Sequence, residues 1–165
     1  CYLFVFMEYI MKLLLMVGIS NCGKSTWAEN YCNENPNTVN VSRDFYRYGH
    51  FNEQFKDKSQ HVRIESEIEE FLSDDCYFAA LAGKDVIVSD TNLSEYVRNK
   101  WLQYATLHNF EVTYIIFATH FNDTFFGKNK NLVHRLPEHV LHHQYPMFSS
   151  FMNEDQDANI NYIII

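Results

Sequence analysis

The chain has 165 residues, 47% of them hydrophobic and 16% aromatic, with a formal net charge of −8. That length supports one domain with its own core, without disulfide or metal staples, and a composition with only 5 Gly and 3 Pro excludes disordered and fibrous classes. The acidic balance argues against a surface coated in basic patches and leaves room only for a local positive site.

The apolar opening, residues 1–17, is interrupted by Glu8 and Lys12 and has no basic stretch before it, which argues against a signal peptide or a membrane span. Residues 1–10 are set aside as an upstream segment, residues 11–152 as the domain, and residues 153–165 as an acidic and then apolar tail. Within the domain, residues 12–17 form an apolar run that suits a strand buried on both faces of a parallel sheet. A helix is expected over residues 25–31 and a second strand over 38–42. Apolar positions recur at helical spacing between residues 58 and 82, where Gly83 is a natural stop. A third strand follows at 85–89, a helix opened by Ser94 and Glu95 runs to about His108, and a fourth strand spans 111–117. Residues 122–135 read as a loop or short helix, after which Pro137 suits the first position of a closing helix that Pro146 limits or kinks. This alternation gives an α/β class with a central parallel sheet of about four strands and sites beyond the carboxyl ends of the strands; with the glycine-containing run Gly18-Ile19-Ser20-Asn21-Cys22-Gly23-Lys24-Ser25 placed after the first strand, the expected fold is P-loop NTPase-like and three-layered. Cys1, Cys22, Cys32 and Cys76 show no C-x-x-C spacing and are read as reduced thiols of a cytoplasmic protein.

Gly18-Ile19-Ser20-Asn21-Cys22-Gly23-Lys24-Ser25-Thr26 fits the Walker A pattern between a predicted strand and a predicted helix. In such a loop the backbone N–H groups curl around phosphate oxygens and the helix start adds a favourable dipole. Lys24, a partly exposed loop lysine on this reading, bridges the β- and γ-phosphates, and Ser25 Oγ ligates Mg²⁺. ATP and Mg²⁺ are therefore the expected cofactors, held by Gly18, Ser20, Asn21, Cys22, Gly23, Lys24, Ser25 and Thr26, with Ser25 on the metal. Asp44, just past the second strand, faces the same rim, where a carboxylate can take the proton of an attacking hydroxyl. Arg47, three residues on, shares a face with Asp44 if a helical turn follows, and its planar fork suits a phosphate. The bland alternative is a helix-capping aspartate beside a solvated arginine. Asp90 closes the third strand, where P-loop enzymes hold a carboxylate near the metal, or else acts as a turn or helix cap.

The Walker A run continuing into Ser25-Thr26-Trp27, the strand-end Arg43-Asp44-Phe45-Tyr46-Arg47 and Val88-Ser89-Asp90-Thr91-Asn92-Leu93 together resemble the kinase domain of phage-type polynucleotide 5′-hydroxyl kinases. The resemblance implies transfer of the ATP γ-phosphate to the 5′-hydroxyl end of DNA or RNA. It implies that Lys24 and Ser25 bind nucleotide and metal, that Asp44 is the general base, that Arg47 handles the acceptor's phosphate and that Asp90 orients the site. If the chain is viral, the compartment becomes the host cytoplasm. Where that family's lid carries clamping arginines, an ungapped reading from Leu136-Pro137 puts Gly127 and Asn131. Lys128, Lys130 or Arg135 then has to substitute, and Arg135 is favoured because a guanidinium can clamp two oxygens.

Other features have weaker claims. His134, His139, His142 and His143 suggest a metal cluster less than a polar helix face. Tyr46, Tyr48 and Phe51 suit nucleobase stacking, although such aromatics more often serve the core. The competing functions are a small-molecule kinase on the same scaffold and a low-activity nucleotide-binding regulator. A GTPase is disfavoured because Asn129-Lys130-Asn131-Leu132 lacks the guanine-reading aspartate.

Overall fold

A computed structural model of the chain describes residues 9–49, 58–118 and 136–165. Five strands, β1 (Lys12–Val17), β2 (Thr38–Val41), β3 (Asp85–Val88), β4 (Glu111–Ile116) and β5 (Asn161–Ile164), form one sheet in the order β2-β3-β1-β4-β5. Every pairing is parallel. Among the described residues the helices are α1 (Lys24–Glu34), α2 (Arg43–Gly49), α3 (Lys58–Leu81), α4 (Glu95–His108) and α5 (Glu138–Met152).

Strand β1 is central because it is apolar on both faces. Leu13, Leu15 and Val17 enter a core shared with Ile68 and Leu72 of α3, Trp101 of α4 and Leu141 and Phe148 of α5. Leu14 and Met16 face the other way, toward Ala28, Trp27 and Tyr31 of α1. Three helices thus cover one face of the sheet and α1 the other, the expected three-layer arrangement. The turn chemistry expected at Gly83 also holds, since it sits at φ 65 and donates its N–H to Ala80 O, which ends α3. Asn109 closes α4 in the same left-handed region at φ 58.

Three local expectations change. The residues set aside as a tail supply β5, whose residues 161–164 pair with 113–116 and extend the sheet to five strands. Tyr9, from the segment set aside upstream, donates its hydroxyl to Asp85 Oδ2 at 2.8 Å. Pro137 lies just outside α5 as its N-cap, and Pro146 sits inside the helix without ending it. Residues 122–135 lie outside the described residues. No helix among the described residues is long and apolar enough to cross a membrane, and Cys22, Cys32 and Cys76 carry free thiols.

Candidate active site

The carboxyl ends of β1, β2 and β3 bring the sequence-predicted residues to one rim. After β1 the chain turns at Gly18, where an added Cβ would lie 2.9 Å from Phe117 Cβ at the end of β4 and 3.1 Å from Cys22 Sγ, so this loop needs glycine to pass. Gly18 N–H donates to Thr91 O at 3.1 Å, which ties the loop to the segment after β3. Asn21 at φ 64 and Gly23 at φ 102 then bend the chain into α1. The first turn of α1 contains no acidic residue, so the N–H groups of Lys24, Ser25 and Thr26 open the helix unopposed by a side-chain carboxylate of that turn. Ser25 and Thr26 are exposed there.

Lys24 is buried, at 6% exposure, rather than partly exposed as the loop position suggested. Its ammonium folds back into the loop, donating to Ile19 O at 2.6 Å and Gly18 O at 3.0 Å, with Cys22 Sγ at 3.5 Å. Burial pulls its pKa down, against the opposing pull of Cys22, Asp90 and Asp44. Both carboxylates therefore act on the lysine's charge across the rim. Ser20, at the loop's outer edge, meets Gln144 of α5, donating its N–H to Oε1 at 2.8 Å and accepting from Nε2 at its Oγ at 3.0 Å.

A helical turn does follow β2, and Asp44 and Arg47 pair across it at 2.8 Å. Asp44 is largely exposed, with its side chain at 63%. The fork of Arg47 reaches further: Nε and Nη2 grip the two oxygens of Glu65 on α3 at 2.7 and 2.8 Å. Burial works against the Arg47 charge, but the bonds to Glu65 and the charges of Glu65 and Asp44 outweigh it and hold the guanidinium above its ordinary pKa. For Glu65, burial is likewise overcome by Arg47 and Arg43, and its pKa falls.

Of the two roles weighed for Asp90, its contacts are those of a helix cap. Its Oδ1 accepts the backbone N–H of Arg43 at 2.8 Å, which caps the start of α2 from a neighbouring strand, while Oδ2 lies 3.3 Å from Arg43 Nε. Burial raises its pKa, opposed by the Arg43 N–H and the Arg43 charge, with Asp44 adding to the rise. Arg43, named only as part of the motif, is the hub: its guanidinium also bonds Glu69 and approaches Glu65 at 3.8 Å. Asn92, at φ 46, uses its amide to bond Met16 O at 2.8 Å and Val88 O at 3.3 Å, so one side chain stitches β1 to β3 beneath the site.

Sequence reasoning gave no role to Arg43, Glu65, Glu69 or Gln144. Glu65 and Glu69 share a face of α3 at four-residue spacing, which is the only local signal they carry. Tyr46 is a packing residue, stacked on Phe71 with centroids 5.4 Å apart and its hydroxyl bonded to Asp75. Phe45, not singled out from the sequence, is 71% exposed. Among the described residues no group of three His, Cys, Asp or Glu side chains is arranged to hold a metal. Phe51, Lys128, Lys130, His134 and Arg135 lie outside the described residues.

Residues 13–124 match the AAA_33 family, described as an AAA domain. The chain is similar to a protein of Autographa californica nuclear polyhedrosis virus described as a bifunctional polynucleotide kinase/RNA ligase, with 34% identity over 110 residues, 60% of this chain and 15% of that one. It shares its fold with a chain of the Pnkp1/Rnl/Hen1 RNA repair complex, at TM-score 0.78 and 17% identity, covering 92% of this chain and 48% of that chain. A sugar kinase from Janibacter sp. HTCC2649 has the same fold at TM-score 0.58 and 15% identity, covering 94% and 84% of the two chains.

Proposed function

The chain belongs to the AAA_33 family, and from that premise we propose that it is an ATP-dependent polynucleotide 5′-hydroxyl kinase. One observation carries the reading: Asp90, at the end of β3, caps the helix that presents Asp44 to the rim where Lys24 closes the phosphate loop. The similarity to a relative described as a polynucleotide kinase/RNA ligase supports the acceptor class.

In this mechanism ATP lays its phosphates along the amides from Asn21 to Thr26. The donor set fits, because α1 opens without a carboxylate in its first turn and Lys24 holds an ammonium inside the loop. Lys24 exchanges the carbonyls of Gly18 and Ile19 for phosphate oxygens. Asp44 accepts the proton of the acceptor hydroxyl as its oxygen bonds to the γ-phosphorus and the bond from phosphorus to the ADP oxygen breaks. Mg²⁺, when bound at Ser25 Oγ, would offset phosphate charge. Arg47 holds Asp44 in place through Nη1 at 2.8 Å and turns its remaining N–H groups to the acceptor's phosphate. Arg135, on the segment before α5, is the proposed clamp on the transferring group.

A small-molecule acceptor is the second reading, favoured by the commitment of the Arg47 fork to Glu65 and Asp44. The test is transfer from ATP labelled at the γ-phosphate to 5′-hydroxyl DNA, 5′-hydroxyl RNA and a set of sugars and small alcohols. Label on oligonucleotide ends, blocked by a pre-existing 5′-phosphate, is the expected result. Label on small alcohols alone would move the enzyme to the second reading, and nucleotide binding without transfer would leave a nucleotide-binding regulator.

A further inference from the structure

The phosphate loop is not held by its own glycines alone. Leu141, Phe148 and Phe151 form the buried stripe of α5, and Gln144 stands at the position of that stripe between Leu141 and Phe148, three residues after one and four before the other. Gln144 is half-buried there, and both ends of its carboxamide bond one residue, Ser20. The pairing has a fixed sense. A backbone N–H can only donate, so it must face the carboxamide oxygen, which turns the amide nitrogen toward Ser20 Oγ.

The next residue explains why such an anchor matters. Asn21 lies at φ 64, a left-handed conformation that costs energy for any residue with a Cβ, although Asn tolerates it best. The loop must hold that bend for its following amides to converge on a phosphate. Both Ser20–Gln144 bonds fall on the residue before the bend, and α5 is itself fixed in the core. We propose that Gln144 is a positioning residue for the nucleotide, clamping the Walker loop from outside so that its phosphate-binding amides are set before ATP arrives. The proposal rests on reading residues 18–26 as a phosphate site.

The test is calorimetric binding of ATP, inorganic tripolyphosphate and adenosine to wild type, Gln144→Ala, Ser20→Ala and the double variant. Gln144→Ala should weaken ATP and tripolyphosphate by the same factor, about tenfold, equivalent to about 1.4 kcal/mol, and leave adenosine unchanged. Ser20→Ala, which loses only the Oγ bond, should weaken both less. The double variant should bind no worse than Gln144→Ala, because the single change already removes both bonds. A purely structural glutamine would lower the melting temperature and affect all three ligands alike. Unchanged tripolyphosphate affinity in Gln144→Ala, or additive losses in the double variant, would overturn the proposal. Failure of wild type to bind ATP or tripolyphosphate would instead remove the phosphate-site reading beneath it.

Discussion

Replacing Asp90 separates a residue that works through α2 from one that works on the nucleotide. In Asp90→Ala the Arg43 N–H loses its charged acceptor and α2 loses its cap, while Arg43 Nε loses an ion partner at 3.3 Å. A lost cap costs about 0.5–2 kcal/mol and a hydrogen bond to a charged group about 1.5–3 kcal/mol. Part of this is returned, because burial already disfavours the Asp90 charge. The net loss should be about 2 kcal/mol, or about 4–8 °C in melting temperature for a chain of this size. The larger effect is kinetic: α2 carries Asp44, and a displacement of about 1 Å at a reacting group costs on the order of 10²-fold in rate. Asp90→Asn keeps an oxygen for the Arg43 N–H and should lose much less of both. Single-turnover transfer at saturating ATP, ATP affinity with and without Mg²⁺, and thermal melting would be measured on all three proteins. If ATP affinity falls in a Mg²⁺-dependent way while the melting temperature holds, Asp90 serves the metal and the argument through α2 is wrong.

Three further outcomes are expected. Asp44→Asn should retain ATP affinity and lower turnover by about 10²–10⁴-fold; a collapse in nucleotide binding would move Asp44 out of the acceptor site. Arg98, 2% exposed, donates to Leu93 O at 2.6 Å and Asn92 O at 3.3 Å, and lies over the Phe151 ring. Arg98→Met keeps much of the packing but orphans those carbonyls, which should cost about 3 kcal/mol in a urea titration, and a variant as stable as wild type would refute it. The depressed pKa of Glu65 gives stability that is present above its unfolded value, about 4.3, and is lost as pH falls through the lower folded one. The melting-temperature advantage of wild type over Glu65→Gln should therefore shrink below about pH 4 and be full at pH 7, and a gap independent of pH would show that the carboxylate charge is not what matters.

The parts of this protein legible in its sequence are those whose chemistry is local. Strand β1, the glycines of the phosphate loop, Lys24 at the head of α1, and Asp44 and Asp90 at strand ends all follow from periodicity and turn chemistry within a few residues. The parallel sense of the sheet, though not its strand order, follows from alternating strands and helices. What the tertiary structure alone decided are contacts between segments far apart in the chain. Residues 161–164 look like a tail until β4 offers them an edge. Lys24 looks like a partly exposed loop lysine until the folded loop's own carbonyls turn it inward. Arg47 looks free for a ligand until α3 supplies Glu65, and Gln144 looks like an ordinary helix position until packing brings it to Ser20, 124 residues earlier. The physical reason is range: propensity, capping and alternation act over a few residues, whereas the partner of a charged fork or a buried amide is chosen by whichever elements the core brings together.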